Sequence, residues 1–90
     1  MEGYTHMTLS VSQIRDSIES GMYLSVTFRY RLRQHFFRES YFDIEYNNYS
    51  DYLTVYPEGC ANTYRHIPLE EFKNMRKRKF NKICKEMISK

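Results

Sequence analysis

Ninety residues set the length of a single domain, expected to span 1–90, and a formal net charge of +3 makes it mildly basic. Hydrophobic residues make up 41% and aromatic residues 17%, too many for a disordered chain. No apolar run approaches the roughly 20 residues that cross a bilayer, and MEGYTHMTLS has neither the basic nor the apolar region of a signal peptide. The chain is therefore expected to be cytoplasmic, with no membrane partner.

Taken in order, the first element is a helix over about 11–20. Ser10-Val11-Ser12-Gln13 fits a capping box, in which the Ser10 hydroxyl and the Gln13 side chain each satisfy the other's backbone amide. Leu9 and Ile14 stand where a hydrophobic staple stands, and Gly21 suits a left-handed stop. Residues 22–33, MYLSVTFRYRLR, then alternate with period 2, the pattern of a half-buried strand. Leu24, Val26, Phe28, Tyr30 and Leu32 face one way, while Tyr23, Ser25, Thr27, Arg29, Arg31 and Arg33 face the other. Residues 40–46 repeat the pattern, with Phe42, Ile44 and Tyr46 inward and Tyr41, Asp43 and Glu45 outward. Residues 52–56 do so again, with Leu53 and Val55 inward and Tyr52, Thr54 and Tyr56 outward. TYRHI at 63–67 reads either as a short fourth strand or as loop.

A second helix is expected from Pro68 to about residue 88. Proline suits its first position, Glu70 and Glu71 suit the positive end of its dipole, and Leu69, Phe72, Phe80, Ile83 and Met87 make one apolar stripe. Arg76 falls inside that stripe, so it must snorkel, pair with an acid, or mark a break in the helix. The predicted fold is α+β, in the order α-β-β-β-α. An antiparallel sheet carries both helices on one face and leaves the other open.

Three surfaces compete for function. The open sheet face would carry Arg29, Arg31, Arg33, Tyr41, Asp43, Glu45, Tyr52 and Tyr56. These form either a cross-strand Arg–carboxylate lattice or a recognition face, since Tyr and Arg are enriched at interface hot spots. The hairpin tip QHFFRE holds Phe36 and Phe37, which cannot both face the core of an extended segment, so one is a candidate interface anchor. The C-terminal run KNMRKRKF is the third. Residues 1–58 hold 5 basic and 8 acidic residues, net −3, and residues 59–90 hold 9 and 3, net +6. Lys77, Arg78, Lys79, Lys82 and Lys85 would line the outer side of the last helix, either as a solvated face or as a track for the phosphates of DNA or RNA.

Catalysis has no comparable signal. His6, His35 and His66 are isolated, with no HxxxH or HExxH spacing. Cys60 with His66 could in principle act as nucleophile and base, but no oxyanion motif accompanies them. Cys60 and Cys84 make no metal or disulfide framework, and the three glycines form no phosphate loop. Both thiols are expected to be reduced and structural. No catalytic residue, metal or cofactor is expected, and an exposed sheet edge is the route to a homodimer.

The element order with a basic last helix is similar to double-stranded RNA-binding domains. It departs from them where Gln34-His35-Phe36-Phe37-Arg38-Glu39 replaces their Gly-Pro-x-His loop, and where Leu69-Glu70-Glu71 opens the last helix with acids instead of lysines. The same order, small size and Tyr/Asn/Lys-rich composition resemble small phage or mobile-element inhibitors of anti-CRISPR type, a resemblance of architecture with no shared motif. It implies a non-enzymatic protein that binds and blocks a host nucleic-acid-handling enzyme. A nucleic-acid-binding module built on the basic helix is the alternative.

Overall fold

The computed structural model describes residues 2–33 and 39–88, of Glu2 only the backbone. The period-2 segments become β2 (Ser25–Arg33), β3 (Glu39–Asn47) and β4 (Tyr52–Pro57), which pair as an antiparallel meander. The segment left open between strand and loop is a strand, β5 (Arg65–Pro68), antiparallel to β4 and burying Ile67 opposite Leu53. Val26, Phe28, Tyr30, Leu32, Phe42, Ile44, Leu53 and Val55 are buried, so the alternation read from the sequence assigns the inner face correctly. Leu24 does not follow it. It precedes the strand and is 51% exposed. Tyr23, expected on the outer face, instead packs edge-on against Phe28 at 6.1 Å on the core side.

An unexpected strand, β1 (Glu2–Thr8), lies along β2 and runs parallel to it. The sheet is therefore mixed, not antiparallel, in the order β1-β2-β3-β4-β5. A parallel pair needs a crossover, and α1 (Val11–Glu19) supplies it. The capping box forms as expected: the Ser10 amide donates to Gln13 Oε1 at 2.8 Å, and the Gln13 amide donates to Ser10 Oγ at 3.1 Å. Val11, Ile14 and Ile18 face the core, and Gly21 takes the left-handed φ of 70° after the helix ends.

The expected second helix is two helices, α2 (Leu69–Lys73) and α3 (Lys77–Ile88), separated by Asn74–Arg76. Pro68 caps α2 from outside with φ −55° and ψ 137°, instead of starting it. The break resolves the misplaced cation. Met75 turns inward and is buried, while Arg76 turns out to solvent. Phe72, Met75, Phe80 and Cys84 join the residues of α1 and the inner sheet face in one core. Phe80 lies edge-on to Tyr30 at 5.0 Å and to Phe72 at 5.7 Å, and such aromatic pairs add stabilisation beyond their buried area.

Arg15 of α1 ties this corner together. Its Nη2 donates to the Phe72 carbonyl at 3.4 Å and to the Met75 carbonyl, and its guanidinium carbon stands 5.7 Å from the Phe72 ring centroid. The carbonyls left over where α2 ends thus find a cation.

Candidate functional site

Among the described residues, all three helices contribute to the one core and the outer face of the sheet carries no helix. On that face Arg29, Arg31 and Arg33 alternate along β2. Register places Asp43 opposite Arg29, Tyr41 opposite Arg31 and Glu39 opposite Arg33. Tyr56 stands opposite Asp43, and Thr54 opposite Glu45. The structure therefore brings Arg29, Arg31, Arg33, Tyr41, Asp43, Glu45 and Tyr56 together on this face, while Tyr23, expected with them, packs on the core side. Phe36 and Phe37 lie outside the described residues.

The pairing differs from the expected Arg–carboxylate lattice. Arg29 Nε donates to Glu58 Oε2 at 3.1 Å rather than to Asp43, and its guanidinium carbon lies 4.1 Å from the Tyr41 ring centroid. Asp43 Oδ1 instead accepts from the Tyr4 hydroxyl at 3.3 Å, and Glu45 Oε2 accepts from the Tyr56 hydroxyl at 2.6 Å. The Tyr41 hydroxyl donates to Glu39 Oε2 at 3.1 Å, while Arg31 reaches the other oxygen of Glu39 only at 3.9 Å. Tyrosine hydroxyls thus do much of the work that arginines were expected to do. They donate to the carboxylates and fix their direction along the sheet.

The local field is acidic. Glu39 and Glu58 join Asp43 and Glu45, so among the described residues four carboxylates face the three arginines. Burial pushes the Asp43 carboxyl above its ordinary value. The charges of Glu58 and Glu45 push it further, against the Tyr4 hydrogen bond and Arg29, which pull it down. Tyr56 is held above the usual tyrosine range by burial and by its bond to Glu45. Beside these groups a polar basin of about 630 Å³ opens, bordered by Ser25, Thr27, Glu45, Asn47, Tyr52 and Thr54. Tyr52 stacks on His66 at 4.2 Å, and Tyr64 lies 5.1 Å from the same imidazole.

The basic residues of the C-terminal run occupy the opposite layer. Arg78, Lys79, Lys82 and Lys85 line one depression with Arg76, whereas Lys77 lines separate depressions beside the start of α1. Among the described residues, no three His, Cys, Asp or Glu side chains are placed to hold a metal ion. Cys84 is buried, which pushes its thiol up to about 12, while Cys60 is exposed in the turn after β4 and has no structural packing role. No helix among the described residues is long and apolar enough to cross a membrane.

Tyr4, Glu39 and Glu58 were missed as members of the sheet site. Tyr4 belongs to a strand with no apolar alternation, Glu39 lies in the segment read as hairpin tip, and Glu58 lies just beyond the alternating run 52–56. No protein-family profile, curated protein or solved structure matches the chain.

Proposed function

We propose that the chain is a non-enzymatic binding module that docks its open sheet face on a partner protein, and that the partner is a nucleic-acid-handling protein. The observation that carries this reading is the pre-ordered lattice of tyrosines, arginines and carboxylates on a sheet face that no helix of the described residues covers. Tyr and Arg supply much of the binding energy at interfaces, and side chains already held in place lose less entropy on docking. The cluster of Asp43, Glu45 and Glu58 matches a cationic surface, and a protein that handles nucleic acid presents such a surface where it grips phosphates. A module seated there would compete with the phosphate chain, so the reading is an inhibitor or accessory factor. It rests on the chemistry of the sheet face, because the observed element order differs from the one that suggested the inhibitor resemblance.

The test places a photocrosslinking amino acid at Tyr52 and identifies its adducts by mass spectrometry. Nucleic-acid-handling proteins should dominate the adducts, and Arg31→Ala combined with Tyr41→Ala should remove them while leaving the circular dichroism spectrum unchanged. Adducts that persist in a folded double variant would reject the sheet face as the contact.

A further inference from the structure

The depression between α2 and α3 has about 860 Å³ of open volume and is lined by Arg76, Arg78, Lys79, Lys82, Lys85 and Glu71. Glu71 is taken up by Lys79, whose Nζ lies 3.5 Å from Oε1. Glu86, on the same helix, accepts from Arg65 of β5 at 2.7 Å. Arg76, Arg78, Lys82 and Lys85 make no ion pair among the described residues. All are exposed.

Four unpaired cations along one groove repel one another, and an ordinary solvated helix face intersperses acids to relieve that. Here that relief is small: Glu71 is taken up by Lys79 and Glu86 by Arg65, although Glu86 still bears on Lys82. Arg78, Lys82 and Lys85 recur at helical spacing on one side of α3 and extend over about 10 Å of its axis. A single small anion would need donors converging on one point. A row of separated cations instead fits an anion whose charge repeats. A membrane surface fits poorly. Binding in the plane of a bilayer needs large apolar side chains on the face that meets the lipid, whereas Phe80, Ile83, Cys84 and Met87 of α3 all pack toward the core.

We infer that the α2–α3 groove binds the phosphodiester backbone of nucleic acid, independently of base sequence. Arg76 enters the groove because the helix breaks before it, and the Arg15 contacts hold that break. The surface lies in the helix layer, across the molecule from the proposed protein-docking face, and does not depend on that reading.

The test is fluorescence anisotropy with the full chain against short duplex DNA, duplex RNA and single-stranded DNA of mixed sequence. Four phosphate contacts predict a log–log salt slope of about −3.6 on duplex DNA, or a loss of roughly 150-fold in affinity between about 50 and 200 mM salt. Lys82→Glu with Lys85→Glu should weaken binding at least about tenfold and flatten the slope by about 2, whereas Lys82→Arg with Lys85→Arg should keep both near the parent values. The arm that binds tightest identifies the polymer. The inference is overturned by absence of binding in every nucleic-acid arm at low salt, or by binding that the double reversal leaves unchanged. Binding confined to phosphatidylserine vesicles would also overturn it. The sheet variants of the previous section play no part in this test, so either reading can fail alone.

Discussion

Asp43 is the residue on which the sheet face is most finely balanced. Its carboxylate is half-buried between two others, with one tyrosine hydroxyl and one guanidinium to hold its charge. A carboxyl raised by its fold is more readily protonated there than in the unfolded chain. The native state then binds more protons, and stability falls as pH rises from the ordinary carboxylate value through the raised one. An Asp43→Asn variant escapes that loss and still offers an oxygen to Tyr4. It should be more stable than the parent at pH 7, by no more than about 0.5 kcal/mol, and the gap should close as melts are repeated toward pH 4. A variant less stable than the parent at pH 7 would mean that Arg29 depends on the Asp43 charge. At this scale the sequence was informative about direction and poor about partners. Period 2 put Arg29 and Asp43 on the same face, but a turn positions Glu58 where it captures Arg29, and nothing in local spacing anticipates a pair 29 residues apart.

At the scale of elements, the strands whose inner faces are fully apolar were legible and the one that buries no core side chain was not. Among the described side chains of β1, none belongs to the core. Gly3, Tyr4, His6 and Met7 are exposed, so hydrophobic alternation had nothing to report. The last helix failed differently. Its apolar residues fit one stripe over 69–88, and only Arg76 disagreed with it. That single conflict marked the place where the chain departs from helix, and Arg15, far away in sequence, stabilises the departure. Removing the guanidinium leaves the α2 carbonyls without their cation and the α1 contact without its anchor. Arg15→Ala should therefore destabilise the fold by about 1.5–3 kcal/mol, the usual worth of hydrogen bonds from a charged donor. Urea unfolding will measure it, and a change below about 0.5 kcal/mol would show that the break holds without Arg15.

The whole molecule separates its charge by layer. Four carboxylates outnumber three arginines on the outer sheet face, and unpaired cations hold the outer side of α3. The opposite nets of the two parts of the chain were visible in the sequence, but not that folding would set them back to back. The sheet ends in edges that resist pairing with a second copy. β5 has four residues and ends in Pro68, and the β1 register shifts between Tyr4 and Thr8. Edge-to-edge assembly, the route to a homodimer that the sequence suggested, is thus disfavoured by the strands at both margins.

That irregular β1 has a kinetic meaning. Strands β2 to β5 each pair with the strand next in sequence, so their contacts close short loops, whereas β1 reaches β2 only once α1 has been laid across the sheet. With no core side chain described to hold it, β1 is the strand that should detach while the rest stays folded. Its amides should then exchange with deuterium well before those of β2's pairing with β3. Uniform protection across the sheet would show instead that β1 opens only with global unfolding. Each detachment breaks the Tyr4–Asp43 bond and bares the outer margin of β2, so the sheet briefly offers a strand-shaped vacancy beside its row of arginines.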